Sequence, residues 1–385
     1  MEARKPISLL KPEDNFAETY PDEPDRFTEA HVDPFLLWCV KQNSSDISIQ
    51  TDRPVYNEIH GILYPGTFRA IDAADMAIFL TRIYGPEALA RLASGQDLDV
   101  SYEIRPDRYS RIRFRVNITA ILSKGRDSAQ ITMRVLPSEP PTMKDLKIEQ
   151  EIIDAWAPRQ GMVVITGATG SGKSTLLAAG NRLLLERPEG CGKMLTYEAP
   201  IEYVYDSIKS PRSLVSQSEI PRHLPDFARG VRNALRRKPE IILVGEARDK
   251  ETISAAIEAA QTGHAVYTTT HTMGVANTVQ RMLSSYDMTE REERAIALME
   301  TLRLIVTQAL VPRVGGGRCG VREWMRFPDE VREKLMDMHF TEWPNEIQRM
   351  VNQYGQTMAR SAEIVFEAGV IDRRHYLLLS SSTGA

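Results

Sequence analysis

An α/β architecture built on a parallel sheet is what this sequence predicts, and three observations predict it. Short apolar runs at 162–166, 194–197, 241–244 and 265–270 alternate with helix-period segments, as strands buried beneath helices on both faces do. The first run leads directly into Gly167-Ala168-Thr169-Gly170-Ser171-Gly172-Lys173-Ser174, a glycine-rich loop that opens a Leu-Leu-Ala-Ala helix. Upstream, Pro137-Ser138-Glu139-Pro140-Pro141-Thr142 can continue neither strand nor helix, because proline lacks a donor and restricts its predecessor. It therefore divides the parallel-sheet region from a smaller α+β domain.

Taken in order, residues 1–26 carry Pro6, Pro12, Pro21 and Pro24 among acidic side chains and read as a flexible or loosely docked arm. Residues 27–136 form the α+β domain, where Asp46–Gln50 and Arg111–Asn117 alternate polar with apolar like half-buried strands. Residues 137–146 are the linker and 147–313 the parallel-sheet domain. Within it Phe227, Val231 and Leu235 mark a helix that Arg236-Arg237-Lys238 favour at its C-terminus and Pro239 stops. Ile253, Ala256, Ile257 and Ala260 line the next helix, which Gly263 ends. Thr289 and Glu292 suggest a capping box opening a long helix through Leu298, Leu302 and Val306. Residues 314–385 read as a helical C-terminal region with a glycine-rich start.

The 385 residues suit two domains and a small appendage at about 100 to 200 residues per domain. A content of 42% hydrophobic and 26% charged residues is that of a globular protein. No apolar run approaches the roughly 20 residues that span a bilayer, and the N-terminus lacks the apolar core of a secretory signal. A cytoplasmic protein without an integral membrane segment is expected. Three scattered cysteines make neither a disulfide framework nor a metal cluster. The net charge of -4 gives no global field for nucleic acid, so no direct nucleic-acid binding is expected.

The glycine-rich loop fits the P-loop pattern. Its backbone N–H groups curl around phosphate oxygens, Lys173 supplies charge to the β and γ phosphates, and the Ser174 hydroxyl meets Mg²⁺. The expected ATP-binding set is Gly167, Thr169, Gly170, Ser171, Gly172, Lys173, Ser174 and Thr175, with Ser174 and Glu246 for the metal. Glu246 follows the strand 241–244; alone it would be an ordinary solvated carboxylate, but it stands where such a fold delivers an acid beside Mg²⁺ and the attacking water. Glu198 ends the strand 194–197, at the edge of the sheet where a general base can act. Glu202 reads equally as an N-cap or a surface ion pair. His271, at a strand's carboxyl end, can sense the γ-phosphate; His264, at the other end, cannot. Arg113, Arg115, Arg126 and Arg134 are either a solvated face or cations that reach a triphosphate across an interface.

Together these motifs resemble the secretion-superfamily traffic ATPases of type II and type IV secretion, conjugation and type IV pilus extension and retraction. The resemblance spans about residues 30–350. It includes Thr196–Glu202 as an Asp box, Ile241–Asp249 as a Walker B segment, and Thr262–His264 through Thr270–Thr272 as a His box. Residues Ser216–Phe227 are similar to the DotB or TraJ type of type IVB secretion and conjugation. The resemblance implies a PAS-like N-terminal domain, a RecA-like ATPase domain and a homo-hexameric ring. It implies an ATP-hydrolysing motor docked on the cytoplasmic face of an inner-membrane secretion or conjugation complex. Glu198 then matches the catalytic glutamate, Glu246 the Walker B acid, His271 the second His-box histidine, and Arg115, Arg126 and Arg134 the nucleotide-facing arginines. Arg113 competes with Arg115, and Ala199 replaces the usual aspartate. A pilus motor is the alternative within the superfamily. A RecA-like nucleic-acid motor would need a basic, aromatic-rich strand-binding surface, which the acidic balance and 7% aromatic content do not favour.

Overall fold

The computed structural model describes residues 19–59, 61–108, 110–137 and 139–381, and the chain divides into two compact units, Met1–Ser138 and Glu139–Ala385. The first unit runs α1 (Glu29–Lys41), β1 (Asp46–Gln50), β2 (Tyr56–Ile59), β3 (Ile62–Pro65), α2 (Ala73–Ile83), α3 (Ala88–Ala93), β4 (Leu98–Ile104), β5 (Ile112–Ser123) and β6 (Arg126–Leu136). Its six strands pair antiparallel in the order β3-β2-β1-β6-β5-β4. Alternation decides which face is dry: Phe114, Val116 and Ile118 of β5 join Ile131 and Met133 of β6 beneath Phe35 and Phe79 of the helices. Arg115 and Asn117 therefore point the other way. The Asp72 side chain caps α2 by accepting from Asp75 N.

Residues 1–18 of the expected arm lie outside the described residues. The remainder is docked: Tyr20 packs its ring 5.3 Å from Phe35 and donates its N–H to Gly66 O, and Glu23 accepts from Phe68 N.

The second unit comprises α4 (Gln150–Ala155), β7 (Gly161–Thr166), α5 (Lys173–Leu185), β8 (Gly192–Glu198), β9 (Ser213–Glu219), α6 (Phe227–Ala234), β10 (Ile241–Val244), α7 (Lys250–Gln261), β11 (Ala265–Thr269), α8 (Val275–Ser284), α9 (Met288–Thr301), β12 (Leu302–Pro312), β13 (Arg318–Arg326), α10 (Asp329–Met336), α11 (Trp343–Tyr354), β14 (Gly355–Gln356), α12 (Met358–Glu367) and α13 (Arg373–Ser381). The sheet order is β14-β13-β12-β7-β11-β10-β8-β9, parallel from β12 to β9 and antiparallel through β13 and β14. Alternate residues of the central strand feed two cores: Met162 and Val164 pack with the α6–α9 side, Val163 and Ile165 with the α4–α5 side. The apolar runs at 162–166, 194–197, 241–244 and 265–270 all lie in neighbouring strands of this mixed sheet, so their near-continuous hydrophobicity reflects burial on both faces.

Two expectations are corrected. The helix expected near residue 289 begins at Met288, with Asp287 at the N-cap position, and stops at Thr301, because Leu302 takes extended angles (φ -67, ψ 134) and the chain enters β12 directly. Leu304, Ile305 and Val306 suit a strand, and β12 pairs with β7 from Leu302 opposite Met162 to Thr307 opposite Thr166. The region from 314 onward is not wholly helical: Gly315, Gly316 and Gly317 all have positive φ and close the β12–β13 hairpin, so β13 and β14 extend the sheet before the helices resume.

Candidate functional site

The carboxyl ends of β7, β8, β10 and β11 gather on one edge of the parallel sheet, where such folds place ligands. β7 ends in the glycine-rich loop. Gly167 has φ +140, and a Cβ there would lie 2.3 Å from Gln308 O; Gly172 has φ +83, with its Cβ position 2.9 Å from Gln308 Nε2. Side chains are excluded at both ends of the loop by backbone angle and by contact. Gly172 is the N-cap of α5, so the loop's N–H groups and the helix N-terminus together make an anion-binding cradle.

Lys173 begins α5 and is buried. Its Nζ donates to Gly167 O at 2.8 Å and to Ala168 O at 3.0 Å, and lies 3.4 Å from His271 Nδ1. Burial pulls its pKa below the usual lysine value, opposed by the negative fields of Glu246 and Glu202. Glu246 follows β10 with Oε1 3.1 Å from His271 Nε2 and Oε2 3.2 Å from Arg248. The turn is pinned by Gly245 N to Tyr197 O, Thr269 Oγ1 to Gly245 O and Ala247 N to Thr269 O. Lys173, His271 and Glu246 thus form one contiguous group. Ser171 Oγ is buried without a hydrogen-bond partner, while Ala168, Thr169, Gly170 and Ser174 are exposed around it.

Glu198 ends β8 and accepts from Thr196 Oγ1 at 2.6 Å and from Gln217 Nε2 at 3.1 Å, both at Oε1. Gln217 also donates to Tyr203 O and accepts from Tyr205 N, so one amide both orients Glu198 and holds the segment beyond the cis Ala199–Pro200 bond. Tyr203 and Tyr205 strap that segment to α5 through Thr175 Oγ1 (3.1 Å) and Asn181 Nδ2 (2.8 Å). Thr175 therefore faces Tyr203. Glu202 is close enough for its charge to act on Lys173. His264 sits at the far end of β11, bonded to Ala259 O at 2.9 Å at the end of α7, in a structural position.

The arginines lie in the other unit. Arg115 and Arg134 face each other across β5 and β6 and bond Asp99 and Asp46 respectively. Arg113 is buried beside Glu103. Arg126, on the same face, stands eight positions along β6 from Arg134, about 26 Å at strand rise. Arg126 and Arg134 thus sit at opposite ends of β6.

The sequence assigns no role to several residues of the site. Gln217 is one, although it lies within the segment Ser216–Phe227. Gln308 and Arg322 are buried polar residues within strand patterns, and Gln308 Nε2 bonds Ser171 O at 2.8 Å. Thr166 and Thr272 bond each other across the ends of β7 and β11. Glu323, buried in β13, accepts from Val275 N at the start of α8 and from Met358 N at the start of α12. None of these pairings follows from a motif spacing, since the partners sit on different elements and are joined by sheet order.

The cradle, the buried ammonium and the unpartnered Ser171 hydroxyl fit a nucleotide's phosphates. For the metal, Ser174 and Glu246 supply a hydroxyl and a carboxylate, and no cluster of three His, Cys, Asp or Glu exists among the described residues. That donor set suits an ion completed by phosphate oxygens and water.

Residues 22–372 match the type II/IV secretion system protein family. The chain is 33% identical over 336 residues to a twitching motility protein of Neisseria gonorrhoeae, covering 86% of this chain and 85% of the relative. It superposes with a TM-score of 0.90 and 48% identity on the ATPase DotB of Legionella pneumophila, covering 96% of this chain and all of the other. The pilus retraction motor PilT with bound ADP matches with a TM-score of 0.79 and 27% identity, over 91% and 96% of the two chains.

Proposed function

The chain belongs to the type II/IV secretion system protein family, and we propose that it is a Mg²⁺-dependent ATPase that powers a type IVB secretion or conjugative DNA-transfer apparatus. The observation that carries this reading is the contiguous Lys173–His271–Glu246 group beside the P-loop cradle. Lys173 binds phosphate charge, Ser174 and Glu246 hold the metal, and Mg²⁺ when bound neutralises phosphate charge. Glu198, oriented by Thr196 and Gln217, takes the proton of the attacking water. His271 holds Glu246 in place and touches Lys173, so a change at the phosphates reaches both.

In this reading Glu139–Ala385 contains a RecA-like ATPase domain and the first unit is PAS-like. Six copies form a ring that docks on the cytoplasmic face of an inner-membrane complex, and Arg115 with Arg134 supplies cationic charge to the nucleotide. The 48% identity to DotB favours type IVB secretion over pilus retraction. Phosphate release and particle mass, measured with and without Mg-ATP for the wild type and Glu198→Gln, test this. A hexamer whose turnover vanishes in the variant is expected; a monomer that neither binds nor hydrolyses ATP overturns the reading.

A further inference from the structure

We infer that Gln308, oriented by Arg322, is a positioning residue for the phosphate-binding loop: it fixes the Ser171–Gly172 peptide so that Gly172 N–H is presented to the phosphates. The inference rests on the nucleotide-binding reading above. Gln308 lies in β12, 3% exposed, with Nε2 donating to Ser171 O at 2.8 Å and Oε1 accepting from Arg322 Nε at 2.8 Å. In a planar trans peptide the C=O and the following N–H point in opposite directions. The Ser171 carbonyl is drawn towards Gln308, so the Gly172 N–H is turned away from β12 and towards the loop's anion-binding side.

Arg322 decides which way the amide points. A guanidinium has only donors, so Gln308 must offer it the oxygen, and the NH₂ is left for the Ser171 carbonyl. A flipped amide would set donor against donor and oxygen against oxygen. Arg322 is itself anchored in β13, 4% exposed, through Glu149 Oε2 (3.2 Å) and Leu146 O (3.3 Å). The loop also rests on residue 308 at both ends, since the Cβ positions of Gly167 and Gly172 fall against its carbonyl and amide.

Gln308→Glu separates positioning from packing. It keeps size and the acceptor for Arg322, whose charge holds the new carboxyl ionised, but it has no donor for Ser171 O. We expect the thermal midpoint to fall, because Ser171 O is left unmet beside a carboxylate, and ADP affinity to fall about tenfold, because Gly172 N–H is no longer held towards the phosphates. Amide hydrogen exchange at 167–174 should quicken without nucleotide, while turnover at saturating ATP changes less than KM. Gln308→Met, which keeps volume and removes both bonds, should also weaken ADP binding and serves if the glutamate variant does not fold. Wild-type ADP affinity and unchanged exchange in the variants would overturn the positioning role while leaving the nucleotide reading intact. A wild-type chain that binds no ADP would overturn both.

Discussion

His271 Nε2 stands 3.1 Å from Glu246 Oε1, and the same ring presents Nδ1 to Lys173 Nζ at 3.4 Å. An ammonium cannot accept, so the tautomer that uses both contacts has its lone pair at Nδ1 and its hydrogen at Nε2, towards Glu246. The ring therefore lies between two oppositely charged neighbours, one at each nitrogen. In His271→Ala, Glu246 loses a donor that fixes its orientation. Turnover should fall about tenfold to a hundredfold, as for other small misplacements at reacting centres, with ADP affinity within about twofold. Steady-state phosphate release beside equilibrium ADP binding checks this; unchanged turnover would remove His271 from the site.

Glu198→Gln preserves an oxygen for the hydrogen bonds from Thr196 and Gln217 but removes the base. Phosphate release should drop by about a hundredfold or more while ATP still binds. Lys173→Ala should instead weaken binding itself. If the Glu198 variant turns over normally, the base lies elsewhere, with Glu202 the next residue to test.

Arg115 and Arg134 are cross-strand neighbours, whereas Arg126 lies about 26 Å away along β6. Turnover should suffer more from Arg115→Ala or Arg134→Ala than from Arg126→Ala. The Arg115/Arg134 double variant should lose less than the summed effects, because neighbouring groups acting on one charge are coupled. Equal losses from all three single variants would mean that Arg126 of one copy serves a different nucleotide from Arg115.

Burial holds the Lys173 pKa below 10.5, so the ammonium deprotonates earlier than an ordinary lysine as pH rises. Two consequences have opposite signs. The unfolded chain binds the proton more tightly than the folded one, so this group's contribution to stability increases with pH between the lowered and the ordinary value. Nucleotide affinity falls over the same interval, because binding needs the charge, at about tenfold per pH unit above the folded pKa. ADP titrations from neutral to alkaline pH read this directly. An affinity that stays flat up to the ordinary lysine range contradicts it.

The parallel core was legible because double burial leaves unbroken apolar runs, and the P-loop because its glycines and Lys173 act within one turn of chain. β9 was not legible: Ser213–Glu219 is largely polar and is a strand through its pairing with β8. The start of β12 is ambiguous in the sequence because Leu298, Leu302 and Val306 also fit a helical spacing, and only pairing with β7 decides against it. At the site, Glu246 and His271 were identifiable from strand ends. Gln217, Gln308 and Arg322 were not, since their importance lies in partners such as Glu198 and Ser171, brought close by sheet order rather than by spacing.

Gly180 offers a test in which the sign of the effect is the result. It sits inside α5, where replacing glycine by alanine ordinarily stabilises by about 1 kcal/mol. Here the new Cβ would fall 1.9 Å from the Trp156 ring. Trp156 is fully buried and cannot retreat freely, because its ring packs on Tyr267 at 5.7 Å and its carbonyl accepts the Tyr267 hydroxyl. Overpacking of this kind costs about 1 to 3 kcal/mol, enough to offset or exceed the helix gain. Gly180→Ala should therefore lower the melting temperature. Since α5 begins at Lys173, a displaced helix should weaken ADP binding as well. A higher melting temperature with intact binding would mean that the indole shifts at little cost and that this contact does not position the helix.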